Sequence, residues 1–304
     1  MSETVAPSEE ISPPAAPRGR SLWDDARRRL RRNPAAMASL YVLGALALLA
    51  LLGPMVWVHP LDRIYRDEVG IAPTFTNMHW LGTDMEGRDL LARVLFGLRI
   101  SLLVGLAATA VSLSIGVTWG AIAGFVGGAV DSVMMRIVDV LYAVPFIFLV
   151  IVLMTVVDVE DPAAKLLLIF LAIGAVEWLT MARIVRGQAI VLRRREFVEA
   201  ARAAGAGPLQ IVARHIVPNV VGPVIVFATL NVPVIILAES FLSFLGLGVQ
   251  EPLTSLGSLI ADGASNMIDA PWLLMAPAAA MLITLLALNF LGDGLRDALD
   301  PKER

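Results

Sequence analysis

Residues 100–130, ISLLVGLAATAVSLSIGVTWGAIAGFVGGAV, run for 31 positions without a charge. The hydrocarbon core of a bilayer takes about 20 apolar helical residues to cross, so this stretch is a full span. Outward from it, charge-free runs occupy residues 35–58, 140–157, 215–238 and 270–292. One further run, 166–182, is interrupted by Glu177. A carboxylate near a helix centre costs about 2.5–3.5 kcal/mol on insertion scales, and each Leu, Ile or Phe returns about 0.3–0.6. Leu166, Leu167, Leu168, Ile169, Phe170, Leu171 and Ile173 together offset that cost. The sequence therefore predicts an all-α membrane protein with six transmembrane helices.

Composition points the same way. Hydrophobic residues make up 57% of the 304-residue chain and charged ones 17%, against about 45–50% and 25% in soluble domains. The absence of cysteine excludes a disulfide framework, a zinc–thiolate site and a cysteine nucleophile. His59, His79 and His215 are far apart and never four residues apart, which excludes a helical histidine-pair metal site. The two lysines, Lys165 and Lys302, follow no glycine-rich loop, so the chain has no phosphate-binding loop and is expected to hold no cofactor or metal itself. A net charge of −3 argues against nucleic acid as a partner. No GxSxG elbow or HExxH pair marks an enzyme.

Basic residues set the orientation. With the N-terminus cytoplasmic, the cytoplasmic segments (1–35, 125–136, 182–217, 292–304) hold 18 Lys and Arg, and the opposite segments (59–99, 157–165, 246–272) hold six. Both termini are expected inside, with twelve acidic residues on the outer side. Residues 1–20, rich in Pro, Glu and Ser, read as a disordered cytoplasmic tail, and the span-length run after them is unlike a cleavable signal. Residues 21–34 read as a short interfacial helix. Ser21 and Asp24 are spaced as a capping box, and Trp23, Ala26 and Leu30 face away from Arg27, Arg28, Arg31 and Arg32. A solvated basic linker is the alternative. The first span (35–58), an extracytoplasmic loop (59–97), a five-helix core (98–292) and a cytoplasmic tail (293–304) complete the order.

Within the second span, Ser112, Gly116, Gly120 and Gly124 recur every four residues. Small residues on one face let helix backbones approach closely, either within the chain or against a second membrane subunit. Gly53-Pro54, Pro145, Pro223, Pro233 and Pro277 interrupt other spans, which suits a transport pathway better than an inert anchor. Glu177 and Glu239 are ionisable groups at membrane depth, each reading as pathway lining or as a structural hydrogen-bonding group. Arg136 and Asp139, three residues apart, are expected to pair.

The longest cytoplasmic loop, about 186–217, carries its own structure. Residues 196–204 (EFVEAARAA) are strong helix formers with acidic residues early, where the helix dipole favours them. Gly205 is a helix stop, Pro208 opens a second short helix over 208–216, and Pro218 separates it from the fifth span. The result is a helix–Gly–helix elbow with a low-relief face of Ala200, Ala201, Ala203 and Ala204, shaped to sit in a groove on another protein. A hairpin resting on lipid would explain the arginines but not the alanine face.

At these residues the sequence resembles the membrane permease subunits of ABC importers, whose signature is EAA, three residues, Gly, nine residues, then I-x-L-P. Glu199, Ala200, Ala201, Gly205 and Pro218 stand at matching positions, while His215 and Val217 depart from the pattern's Ile and Leu. Residues 214–219 (RHIVPN), 80–101 (WLGTDMEGRDLLARVLFGLRIS) and 239–248 (ESFLSFLGLG) resemble the dipeptide/oligopeptide/nickel branch, closest to the C-type peptide permeases. The resemblance implies a non-catalytic half-channel in a bacterial inner membrane. Its implied partners are a homologous permease, two ATP-binding subunits that hold ATP and magnesium, an extracytoplasmic solute-binding protein and a peptide substrate, with nickel or another small solute as the alternative cargo. It further implies that Glu199, Ala200, Ala201, Arg202, Gly205 and Pro218 form the contact with an ATP-binding subunit. A secondary transporter would show inverted repeats with charged pairs at mid-depth, and a membrane enzyme would need a nucleophile or metal constellation. Neither pattern appears.

Overall fold

The structure, a computed structural model, describes residues 22–157 and 161–299. The tail expected over 1–20, the cap expected at Ser21 and residues 300–304 of the C-terminal tail lie outside the described residues. Among the described residues no strand forms.

Helix α1 (Leu22–Arg32) and α2 (Pro34–Val56) meet at Asn33. The Asn33 side chain accepts the Ala36 N–H at 3.1 Å, and Pro34 takes the first helical position, where its missing donor costs nothing. Asp89 caps α3 (Leu90–Val126) in the same way, accepting the Ala92 N–H at 2.7 Å. At 37 residues α3 is about 55 Å long, well beyond the bilayer core. It ends where Gly127 and Gly128 adopt φ of 72° and 60°, a left-handed pair that only glycine enters freely. Then follow α4 (Gly128–Ala143), α5 (Phe146–Val156), α6 (Pro162–Leu192), α7 (Glu196–Ala203) and α8 (Pro208–Ile211). A π turn (Val212–Ile216) leads into α9 (Val217–Phe244), with α10 (Leu256–Ser265) and α11 (Trp272–Leu299) last.

Among the described residues five helical runs are long and apolar enough to cross a bilayer: α2, α3, α6, the continuous run Pro208–Phe244, and α11. Helices α4 and α5 pass the same test only when taken together, and they are bent by 83° at their junction, the geometry of a broken span or of a re-entrant loop, so the described residues hold five spans, or six with this pair counted as one. The run 140–157 is thus not one helix. Val144 is extended ahead of Pro145, the conformation a following proline imposes. The other interrupting prolines behave differently from expectation, because Pro54, Pro223, Pro233 and Pro277 all lie inside continuous helices. Pro218 does not separate the loop from the fifth span either. It occupies the first turn of α9, and the π turn before it supplies i→i−5 bonding, from the Val217 N–H to Val212 O, where a proline upsets the regular ladder. The C-terminal segment also differs, since α11 continues to Leu299 instead of ending near residue 292.

Helix α3 is central. Its stripe of Ser112, Gly116, Gly120 and Gly124 is buried against α6 of the same chain. A Cβ at Gly116 would stand 2.6 Å from Met181 Cβ, and one at Gly120 would collide with Ala182 O. On α6, Gly174 returns the approach against Val111. Among the described residues four buried clusters complete the core, one of them Val138 of α4 with Trp178, Leu179 and Ala182 of α6. Leu90, Leu98, Val232, Ile236, Leu256 and Leu273 join α3 to α9, α10 and α11. Val104, Val150, Ile169 and Ile235 bring in α5. Ala121, Phe125, Val185, Val198 and Ile216 close the end that carries the 186–217 loop.

Candidate coupling surface and the groups around it

Helix α7 is short, and one residue anchors it. Val198 is fully buried among Phe125 of α3, Val185 of α6 and Ile211 and Ile216 of the following elbow. With Val198 turned inward, the opposite face is fixed outward: Glu199, Ala200, Arg202, Ala203 and Ala204 are exposed and Ala201 is half-buried. Glu196 and Glu199 lie in the first turn and Arg202 in the last, complementing the helix dipole at both ends. Gly205 has φ 83°, its N–H donates to Arg202 O, and the Ala206 N–H donates to Ala201 O at 3.0 Å. This is the double hydrogen bond that ends a helix on a left-handed glycine. A Cβ at Gly205 would meet nothing within 4 Å, so the position is open as well as bent. Pro218 is exposed and lies in the first turn of α9.

The elbow is tied to α3. The Arg202 guanidinium lies 5.2 Å from the Phe125 ring centroid, within cation–π range, and Arg193 Nη1 donates to Gly124 O at 3.4 Å. Any displacement of α7 therefore bears on the Phe125 end of α3, and through the Gly116–Gly124 stripe on α6. Two ion pairs bind α4 to α6. Arg186 grips Asp131 with bonds of 2.5 and 2.7 Å, and Arg183 reaches Asp139 at 2.9 Å while stacking over Tyr142. The expected Arg136–Asp139 pair is thus replaced by a pair between helices. The antiparallel approach of α4 and α6 offers Asp139 a guanidinium that sequence spacing does not reveal.

Glu177 is half-buried on α6 and sits against the buried Asn231 of α9. Glu239 is fully buried within the chain. Its Oε1 accepts from Ser243 Oγ and Ser255 Oγ, both at 2.7 Å, so one carboxyl joins the end of α9 to the start of α10. Ser255 is also the capping residue of α10, and Ser101 Oγ of α3 accepts the Leu256 N–H.

On the opposite side, the loop before α3 is compact. His59 and His79, 20 residues apart in sequence, stack with ring centroids 4.2 Å apart. Sequence distance concealed this contact, which also brings Asp89 within 4.8 Å of both rings. His79 is fully buried, with Nδ1 2.8 Å from Asp89 Oδ2 and Nε2 2.7 Å from Glu68 Oε2. His79 thus bridges the two carboxyl groups. His59 is engaged by Tyr65 OH and by Asn77 O. With every ring nitrogen holding a protein partner, the cluster of His59, His79 and Asp89 is a hydrogen-bonded core. The Asn77 amide and His79 hold Glu68 below the usual carboxylate range.

A second network joins this loop to the segment before α10. Arg88 forks onto Glu251 at 2.7 and 3.0 Å and also pairs with Glu86. The buried Arg93 bonds Asp84 at 2.5 Å, with Asp262 of α10 at 3.9 Å. Hydrogen bonding to Arg88 lowers Glu251, while burial raises Asp262. Asp84, Glu86, Arg93, Glu251 and Asp262 line a cleft of about 210 Å³ between the loop and α10.

A helical bundle of this design, with an exposed elbow on one face and a folded loop on the other, has clear relatives. The chain belongs to the family of binding-protein-dependent transport system inner membrane components, whose model matches residues 116–304. Residues 21–73 match the N-terminal transmembrane domain of oligopeptide transport permease C. The oligopeptide transport system permease protein OppC of Escherichia coli K12 is 52% identical over 303 residues, covering 100% of this chain and 98% of that one. OppC of Haemophilus influenzae is 51% identical, covering 94% and 90%. The dipeptide transport system permease protein DppC of Bacillus subtilis is 43% identical, covering 93% and 87%. Among solved structures, an inward-facing MetNI methionine ABC transporter chain superposes with a TM-score of 0.56 at 17% identity, over 75% of this chain and all of that one. That likeness speaks to the fold alone. The family consists of membrane components of transport systems, and this chain is a non-catalytic permease of the inner membrane.

Proposed function

We propose that the chain is one half-channel of an ATP-driven importer of di- or oligopeptides, energised through α7. The observation that carries this reading is the orientation of α7. Buried Val198 roots it, and Glu199, Ala200, Arg202 and the open Gly205 face outward. An ATP-binding subunit, which holds ATP and magnesium, receives this face in a groove. Closure of a pair of such subunits moves α7, and the Arg202–Phe125 contact passes the movement to α3 and α6. A partner that met both states equally would shift nothing, so the groove must hold α7 differently with ATP bound. Peptide as the cargo is supported by the names of the relatives at 43–52% identity. A homologous permease completes the channel, and an extracytoplasmic binding protein delivers the peptide to the 59–97 loop and α10. The excess of Lys and Arg on the 186–217 side supports cytoplasmic termini. Glu177 is assigned to the pathway wall; Glu239 acts through α10, without touching substrate.

The test is Gly205→Asp in vesicles reconstituted with all partner subunits. Peptide uptake is expected to fall to background while the protein remains inserted and assembled with its partner permease. Normal ATP-dependent uptake would reject the assignment of α7.

A further inference from the structure

Helix α1 takes no part in the coupling scheme, yet it is the most basic element of the chain, with five arginines and two aspartates in eleven residues. Its apolar side is committed. Ala26 is buried, and Leu30 reaches the end of α11, coming within 3.5 Å of where a Cβ at Gly294 would stand. The single residue Asn33 links it to α2, with the Asn33 N–H donating to Leu30 O at 3.1 Å. Chain continuity therefore holds α1 at the level where the first span leaves the bilayer. The exposed side carries Arg27, Arg28, Arg31 and Arg32, with Trp23 half exposed. Tryptophan at this level is the usual anchor of the membrane–water interface.

Two clefts open there, each of about 370 Å³. Arg29, Arg32, Asn33, Gly294, Asp297 and Ala298 line one, and Asp25, Arg28, Arg29 and Arg32 line the other. Together they set three guanidinium groups against two carboxylates, a balance of one positive charge. Arg28 and Arg32 are four residues apart on one face, a like-charge spacing that weakens an isolated helix and is relieved when an anion lies between them. We propose that α1 and the end of α11 form a binding site for the anionic phosphodiester headgroup of a bilayer lipid, gripped by Arg28 and Arg32. Guanidinium forks match the two free oxygens of a phosphodiester. The carboxylates of Asp25 and Asp297 accept from hydroxyl groups of the headgroup, which distinguishes a glycerol headgroup from a choline one. Because α1 is fixed to both α2 and α11, a bound headgroup secures the corner where the first and last long helices meet.

The test uses the full-length protein in detergent micelles, titrated separately with phosphatidylglycerol and phosphatidylcholine and read by native mass spectrometry. The protein is expected to retain phosphatidylglycerol preferentially. Each arginine beside an anionic headgroup contributes about fivefold in binding. The double variant Arg28→Gln, Arg32→Gln should therefore lose about 25-fold in that preference. Both side chains are exposed, so folding is unaffected, which unchanged helical circular dichroism verifies. The double variant Arg63→Gln, Arg66→Gln removes equal charge from the opposite loop and should keep the preference. Equal retention of the two lipids by the unmodified protein, no change in the α1 variant, or an equal loss in the loop variant would each overturn the proposal. Displacement of phosphatidylglycerol by equimolar inorganic phosphate would also overturn it, marking the clefts as a free-phosphate site.

Discussion

Glu239 shows how one side chain in a bundle can serve two helices. Its Oε1 accepts from both Ser243 and Ser255, and a glutamine carbonyl can accept the same pair. Glu239→Gln is therefore expected to unfold within about 1 kcal/mol of the unmodified protein. Glu239→Ala leaves two buried hydroxyls without their acceptor and opens a cavity, costing about 2–4 kcal/mol. Denaturant unfolding in detergent, followed by circular dichroism, measures both. At Gly205 the expectation is reversed. A side chain there meets open space, so Gly205→Asp costs only the left-handed backbone, about 1–2 kcal/mol, and its effect on uptake is expected to far exceed its effect on stability. The two glutamates at membrane depth are legible as special residues from their setting in apolar runs. Their partners, Asn231 and Ser255, lie 54 and 16 residues away in sequence, and no spacing rule connects them.

At the scale of elements, the α3–α6 seam is the tightest contact. Gly120→Ala drives a Cβ into the Ala182 carbonyl and is expected to destabilise by about 1–3 kcal/mol. Gly44→Ala on α2, where a Cβ meets nothing within 4 Å, is expected to be neutral or to stabilise by up to about 1 kcal/mol. Thermal unfolding of the two variants side by side checks the contrast. The four-residue spacing of small residues makes a close seam legible in the sequence, although it does not say which helix the seam faces. Prolines are less informative. Pro145 breaks its helix, whereas Pro54, Pro223, Pro233 and Pro277 are absorbed by theirs. The difference depends on whether neighbouring helices and local widening satisfy the freed carbonyls, a tertiary property. Pro218 makes the same point, because a π turn carries the chain through it. The α7 elbow, by contrast, is almost fully legible. Its helix formers, its terminal glycine and its following Gly-Pro are all local signals. What the sequence leaves open there is the role of Val198 as the anchor that decides which face points out.

Considered as a whole, the molecule has a folded loop as a cap at one end and a tethered elbow at the other, joined by α3. Asp89 caps α3 while bonding His79, and Phe125 near its other end supports Arg202. The cap is held by Glu68 and Glu251, whose folded-state pKa values lie below their unfolded ones. The stability they lend is complete above the ordinary carboxylate range and is lost as pH falls through the depressed folded values. Acidification below that range is thus expected to speed hydrogen exchange in residues 57–89 before the buried seam of α3 and α6 responds. Asp262, raised by burial, runs the other way. Its unfavourable ionised form is relieved as pH falls through its raised value, so α10 should hold longer than the loop. The cap's internal order is hidden from the sequence because its histidines and carboxylates meet only through the folded loop. The central claim is that α7 is the face through which an ATP-binding subunit drives this permease. The natural absence of cysteine makes a single probe unambiguous. With Ala200→Cys in the assembled transporter, a short thiol-to-amine cross-linker should join this chain to the ATP-binding subunit, with a yield that changes when ATP binds. Arg66→Cys, on the opposite loop, should give no such product. Failure of Ala200→Cys to cross-link in an assembled, transport-competent complex would contradict the account.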